Sequence, residues 1–314
     1  MSQQNLPLEL LPLRNNKKRY LTPFPDTEAQ EFSWAFLFPQ NDLFCLIVAM
    51  AKIPVVDDLI KKNLHGLSVH YGRLVMKVYL RITLLVFGKA SPYLIRGIYR
   101  SVTGNKEARI KEFLEGTKIW AEDVLKITKT KLIVFNEIDV PQKGHMIFLN
   151  HVNEMDFPYD CYVIRKPFLA NQVIKKAWFA YWWMVAMGSQ VFDNSKAMSV
   201  AISVKNLIEG LKTTSYIVYP EGKNTYSEEI LPLKKGIVKI AFDQKIPVFV
   251  ALKSGVTTYQ NYQKGNVVGY LGLGSHDPTD FSSWEEFQTY LYNLMHTKKL
   301  ELDAMTEAER TKLS

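Results

Sequence analysis

Met146-Ile147-Phe148-Leu149-Asn150-His151-Val152-Asn153-Glu154-Met155-Asp156 passes from four apolar residues into a polar turn and on towards Pro158. A short apolar run bounded by turn formers reads as a buried strand over 146–149. The polar segment over 150–156 is not one continuous helix if His151 and Asp156 are to touch. Five residues at roughly 100° each leave two side chains about 140° apart. A strand end, a short turn and a helix beginning near Pro158 bring them together, because proline suits the first turn of a helix and not its interior. In that arrangement Asp156 accepts the proton on one ring nitrogen and fixes the tautomer, leaving the other nitrogen to take a proton from a hydroxyl. His151 and Asp156 are therefore the candidate catalytic pair, against the competing account of a structural His–Asp pair.

Outward from this stretch, the texture is that of an α/β domain. A strand over 132–135 precedes it across the turn Pro141-Gln142-Lys143-Gly144, and a helix over 106–129 comes before that. Downstream, a helix over 200–211 leads to a strand over 216–219, and a helix over 236–242 leads to a strand over 247–252. A further strand is expected over 267–271. Alternating helices and strands favour a largely parallel or mixed sheet covered by helices. From residue 284, Phe287, Leu291 and Leu294 mark a closing amphipathic helix with a frayed polar end.

The first third of the chain is different. Pro7, Pro12, Pro23, Pro25 and Pro39 interrupt it, beside a basic run Lys17-Lys18-Arg19, so residues 1–63 read as a leader with short pieces of structure. Over 64–105, Arg73, Lys77 and Arg81 recur every four residues among Leu74, Val75, Val78, Leu85 and Val86. That spacing predicts a basic amphipathic helix, with a second helix after Ser91-Pro92; it suits either the protein's own core or an anionic lipid surface. The division is thus 1–63 leader, 64–105 interface helices, 106–275 catalytic domain, and 276–314 C-terminal helix and tail.

Composition narrows the class. In 314 residues the apolar fraction is 47% and the charged fraction 22%, which describes a folded protein, and the net charge of +8 is compatible with acidic carriers or anionic lipid. No groove-reading motif accompanies that charge, so nucleic acid is not an expected partner. Cys45 and Cys161 lack metal-ligand spacing, so no metal site is expected. The apolar runs over 43–51 and 178–188 fall short of the roughly 18 residues that nominate a membrane span. The start of the chain lacks a secretory pattern.

Two further stretches join the His–Asp segment. Pro220-Glu221-Gly222 comes after the strand over 216–219, and such a turn is expected to project Glu221 beyond the strand's carboxyl end. Ligands of α/β sheets gather at those ends, where His151 also lies. The aromatic run Trp178, Phe179, Tyr181, Trp182 and Trp183 fits an acyl tunnel, the headgroup level of a bilayer, or a core helix.

Taken together, these stretches resemble the glycerolipid acyltransferase family typified by 1-acyl-glycerol-3-phosphate acyltransferases. Its four blocks stand in order: Asn150-His151 through Asp156; Gly188-Ser189-Gln190-Val191-Phe192-Asp193-Asn194; Tyr219-Pro220-Glu221-Gly222-Lys223-Asn224, followed by Lys234-Lys235-Gly236; and Ile246-Pro247-Val248-Phe249-Val250. The resemblance implies transfer of a fatty acyl group from acyl-CoA or acyl carrier protein to a lysophospholipid hydroxyl, with His151 as base, Asp156 as its orienter and no cofactor. It implies a membrane-associated protein at the cytoplasmic face, with membrane lipid and the acyl donor as partners. Asn150, Glu221 and Gly222 would position the acceptor, and backbone donors near the turn would hold the oxyanion.

Two departures touch the acceptor. Asn194 and Asn224 stand where the family carries arginines around the acceptor's phosphate, and asparagine lacks their bidentate charge. Lys175, Lys196, Lys223 and Lys234 are candidates to restore it, and Asn194 keeps hydrogen-bonding capacity. An inert lipid-binding protein of the same fold and an acyl thioester hydrolase are the alternatives; the latter lacks a Gly-x-Ser-x-Gly elbow.

Overall fold

The computed structural model describes residues 19–21, 84, 88–153, 155–176, 178–193, 195–257 and 266–313. The basic pattern at Arg73, Lys77 and Arg81 lies outside the described residues, as does Asn194.

Eight strands and seven helices are described: β1 (Arg19–Leu21), α1 (Ser91–Val102), α2 (Lys106–Ile127), β2 (Thr130–Val134), β3 (Met146–Phe148), α3 (Asp156–Val163), β4 (Leu169–Asn171), α4 (Trp178–Ala186), β5 (Gln190–Phe192), α5 (Ala197–Leu211), β6 (Tyr216–Val218), α6 (Lys235–Asp243), β7 (Val248–Ser254), β8 (Asn266–His276) and α7 (Trp284–Thr311). Six strands form one sheet in the order β1-β2-β8-β7-β3-β6. β3 runs parallel to both β6 and β7, and β2 runs parallel to β8. β7 and β8 are antiparallel, as are β1 and β2, so the sheet is mixed. β4 and β5 make a small parallel sheet, tied to the edge of β6 by a bridge between Phe168 and Ile217.

Local sequence explains the element ends. Asn105 caps α2 by accepting from the Ala108 amide, and Pro92 sits in the first turn of α1, where its missing N–H costs nothing. Ser283 caps α7 through Glu286 N, while the Glu286 carboxylate reaches back to Ser282 N, a reciprocal pair of caps. That anchored start, and Leu291, Met295 and Leu302 buried along one stripe, carry α7 to Thr311.

Side-chain alternation on the central strands divides the core in two. Ile147, Ile217, Phe249 and Ala251 face α2, α3 and α4. Met146, Phe148, Val218, Val248, Val250 and Leu252 face α5, α6 and α7. α1 lies outside this double layer and docks on α2 through Gly97, where a methyl group would come within 2.5 Å of the Phe113 ring. β1, β4 and β5 were not expected: like β3 and β6 each is three residues long, but Arg19, Asn171 and Gln190 break the apolar run that marks a short buried strand.

Candidate active site

The carboxyl ends of β6, β3 and β7 lie side by side, and the register decides which residues meet there. β3 pairs with β6 as Met146↔Tyr216 through Phe148↔Val218. Three residues beyond each strand, the same offset places His151 beside Glu221, and the His151 amide donates to Glu221 Oε1 at 3.0 Å. On the other flank Asn150 extends the ladder with its side chain. Its Nδ2 donates to Lys253 O at 3.0 Å and its Oδ1 accepts from Lys253 N at 2.9 Å.

Between Asn150 and α3 the chain makes a tight turn. Asn153 Oδ1 accepts from Met155 N at 2.9 Å, and Asp156 N donates to Asn153 O at 3.1 Å, an Asx-type turn that opens the helix at Asp156. Asp156 then folds back over the turn. Its Oδ2 accepts from Val152 N at 2.6 Å, from Asn153 N at 3.2 Å, and lies 2.7 Å from His151 Nδ1. The carboxylate is fully buried, while the imidazole is 19% exposed. One ring nitrogen is thus anchored from within, and among the described residues no side chain engages the other. An imidazole held in this way can take a proton from a hydroxyl at its open edge.

Below the pair lies a charged network with no access to solvent. Lys253 comes after Phe249 and Ala251 on the face of β7 that α3 covers, and its ammonium sits 2.6 Å from Asp160 Oδ2 and 3.5 Å from Asp156 Oδ1. Asp160, one helical turn after Asp156, also accepts from Tyr219 Oη at 2.6 Å and Tyr270 Oη at 2.7 Å. Burial pushes the Asp160 carboxyl up, Lys253 pulls it down and Asp156 adds to the rise. Burial, and then the Asp160 charge, hold both tyrosine hydroxyls well above their usual range, so they remain donors. The Tyr219 ring also stacks on His151 and receives the Lys253 ammonium at 4.7 Å from its centroid.

The expected site residues separate into two groups. Asn150 and Glu221 are braces. Glu221 is not projected into solvent; it is 1% exposed. Its Oε2 accepts from Leu231 N at 3.1 Å, so both oxygens are committed to backbone donors, and burial raises its pKa against the pull of those amides. Asn150 is likewise consumed by Lys253, because a strand that stops at Phe148 leaves backbone groups of β7 to be paired. Gly222 sits at φ +68°, with the Lys234 stem 2.9 Å from where a side chain would begin. Lys223 and Lys234 are exposed beside this turn, and Lys175 is exposed before α4, where it lowers the Asp193 carboxyl after the larger effect of Ser195.

The backbone donors expected to hold an oxyanion are largely engaged internally. Gly222 N bonds Tyr219 O at 3.1 Å, Thr225 N bonds His151 O at 3.0 Å and Tyr226 N bonds Val152 O at 2.8 Å. The last two of these bonds lace the segment after the glutamate turn to the histidine turn. The aromatic run forms α4, in which Trp183 is in the core, donating to Thr117 Oγ1 at 2.8 Å, while Trp182 stands 40% exposed; the run thus has a core side and an outer side.

Sequence reasoning passed over Lys253, Asp160 and Tyr270. A lone lysine in the apolar strand Val248–Ser254, which is buried throughout, and a second aspartate four residues after the first in a short apolar helix were the available signals. A buried charge needs a partner. Among the described residues no three His, Cys, Asp or Glu side chains are grouped to hold a metal ion, and no helix is long and apolar enough to cross a membrane.

Residues 131–251 match the Acyltransferase family model. A 1-acyl-sn-glycerol-3-phosphate acyltransferase of Saccharomyces cerevisiae is 29% identical over 136 residues, which are 40% of this chain and 43% of the yeast protein. The chain therefore aligns with less than half the length of that relative. The 1-acyl-sn-glycerophosphate (LPA) acyltransferase PlsC from Thermotoga maritima shares the fold, with a TM-score of 0.60 at 20% identity over 73% of this chain and 94% of that one.

Proposed function

We propose that this protein, whose residues 131–251 match the Acyltransferase family model, moves a fatty acyl group from a thioester to the hydroxyl of a lysophospholipid. The observation that carries the proposal is the His151 Nδ1–Asp156 Oδ2 contact of 2.7 Å at the carboxyl end of β3. With Nδ1 anchored, Nε2 removes the acceptor's hydroxyl proton as the oxygen attacks the thioester carbonyl. Asp156 stabilises the imidazolium that forms. Collapse of the tetrahedral intermediate expels a thiolate, which takes the proton back, so the products are an ester and a thiol.

The acceptor is of the 1-acyl-glycerol-3-phosphate type. Lys223 and Lys234, exposed on either side of the Gly222 turn, supply positive charge to its phosphate in place of the arginines missing at Asn194 and Asn224. The amino end of α6 begins beside Lys234 and adds its dipole. Acyl-CoA and acyl carrier protein are the candidate donors.

The outer side of α1 supports association with a lipid surface. Gly97 turns one side of this helix onto α2, where Arg96 also pairs with Glu112 at 2.9 Å, and the opposite side leaves Ile95 65%, Tyr99 61% and Val102 83% exposed. An exposed apolar strip with a tyrosine in it suits the headgroup boundary of a bilayer.

The test is a donor-by-acceptor matrix on the full chain: acyl-CoA or acyl carrier protein against lysophosphatidate and other lysophospholipids, read by lipid mass spectrometry. A diacyl product is expected, falling by about 10²- to 10⁴-fold in His151→Ala. Lysolipid binding without turnover in any arm, or thioester loss that needs no acceptor, would overturn the proposal in favour of an inert binder or a hydrolase.

A further inference from the structure

The network beneath His151 holds an uneven set of charges. Asp156 and Asp160 present two carboxylates from α3, and Lys253 presents one ammonium from β7, all three without solvent contact. The ammonium is not shared evenly. It hydrogen-bonds Asp160 at 2.6 Å and stays 3.5 Å from Asp156 Oδ1, an oxygen with no hydrogen-bond partner. Asp160 is further saturated by the hydroxyls of Tyr219 and Tyr270. From the β6 side Glu221 adds a third carboxyl, spent on the His151 and Leu231 amides. These groups are the titratable neighbours of the imidazole on α3, β6, β7 and β8.

We propose that Asp160 and Lys253 are positioning residues for the base: by drawing the ammonium to itself, Asp160 leaves the charge of Asp156 only partly compensated until His151 gains a proton. Buried charges at low effective dielectric act strongly on one another. Moving Lys253 fully onto Asp156 would neutralise the carboxylate that has to stabilise the imidazolium, and deleting Lys253 would leave surplus negative charge beneath the ring. Asp160 therefore sets how much of the Asp156 charge the imidazole feels. The sidedness is built into the fold, because Asp156 and Asp160 lie one turn apart on α3 and only the second is reached by the two tyrosines.

The inference rests on His151 being the base, and its test is read both with and without catalysis. In the full chain labelled with ring-¹⁵N histidine, the His151 titration is followed by NMR in wild type, Asp160→Asn, Lys253→Met and the double variant, with His151→Asn supplying the assignment. The acid limb of the pH profile of acyl transfer is measured beside it. Asp160→Asn, which preserves shape, is expected to move the imidazole titration and the acid limb down by about one pH unit, and Lys253→Met up by about as much. The double variant, with neither charge, is expected within about half a unit of wild type. Removing one member of a buried pair is the costlier change and removing both the milder one, so where Lys253→Met does not fold, Asp160→Asn and the double variant carry the test. An NMR titration unmoved in Asp160→Asn, or moved upward, overturns the inference whatever the activity. Absence of acyl transfer in wild type, with the NMR shifts as expected, would overturn the enzymatic reading and leave the charge arrangement standing.

Discussion

Tyr219 lies face to face with His151, their ring centroids 4.0 Å apart and their planes within 10°, while its hydroxyl donates to Asp160 at 2.6 Å. One side chain thereby connects the ring that would move the proton to the buried carboxylate below it. Aromatic stacking contributes about 0.5–1.5 kcal/mol beyond area burial, and a hydroxyl bonded to a charged partner about 1.5–3 kcal/mol. Tyr219→Phe is therefore expected to lower unfolding free energy by about 1–2 kcal/mol in urea titrations with a several-fold loss of kcat. Tyr219→Leu is expected to lose activity by a further factor of about ten, because the ring is then unsupported. Equal activity of the two variants would mean that stacking does not position the imidazole.

Asp156 serves the base and the turn with a single oxygen. In Asp156→Asn the amide oxygen keeps the two turn amides and His151 Nδ1, and the NH2 takes the place of the unpartnered Oδ1, so the turn stands and the negative charge that stabilises the imidazolium is lost. Activity is expected to fall about 10³- to 10⁴-fold, with a retained circular dichroism spectrum. Turnover within tenfold of wild type would remove Asp156 from the mechanism.

Glu221 braces two backbone segments, and Glu221→Gln sets an amide donor against the His151 or the Leu231 amide. The expected result is a loss of about 1–3 kcal/mol in stability, with a lower kcat and little change in KM for the acceptor. A raised acceptor KM at unchanged stability would instead place this side chain on the substrate.

Lys299 is buried and pairs with Glu228 at 3.0 Å and also with Asp303, tying α7 to the loop after the glutamate turn. Burial alone would raise the Glu228 carboxyl, but Lys299 and the Thr257 donors together hold it below its usual value. A depressed folded pKa means stability that is fully present above the unfolded value, near about 4.3, and lost as pH falls through the folded one. Lys299→Met should cost about 3–5 kcal/mol at pH 7, and the gap to wild type should narrow at pH 3. A gap of the same size at both pH values would exclude the pair as its origin.

On α1, Ile98→Asp with Val102→Asp places charge on the outward strip without touching Gly97 or its packing on α2. Co-sedimentation with vesicles containing phosphatidylserine is expected to drop by about tenfold or more, while the melting temperature stays within about 2 °C. Unchanged sedimentation would move lipid contact elsewhere on the chain.

Much of the architecture was legible in local pattern. Residues 146–149, 216–219 and 247–252 carry apolar runs with turn formers at their ends, and Asn150-His151 to Asp156 is incompatible with a single helix on angular grounds alone; both readings need nothing beyond neighbours in the chain. The short strands β1, β4 and β5 escaped because a polar residue interrupts each, at Arg19, Asn171 and Gln190, and three residues define no period to replace the missing apolar run. The antiparallel placement of β8 against β7 escaped because direction is settled by partners that lie far away in sequence.

The site divides along the same line. His151 and Asp156 were identifiable from spacing, since five residues across a turn are a local matter. That Asn150 and Glu221 brace backbone, that Lys253 leans to Asp160 rather than Asp156, and that Tyr219 joins ring to carboxylate were decided by the fold. Each depends on strand register and on which helix covers which face of the sheet. A sequence states which groups exist; only packing decides which of them lose water together, and loss of water is what makes a carboxylate choose one partner over another.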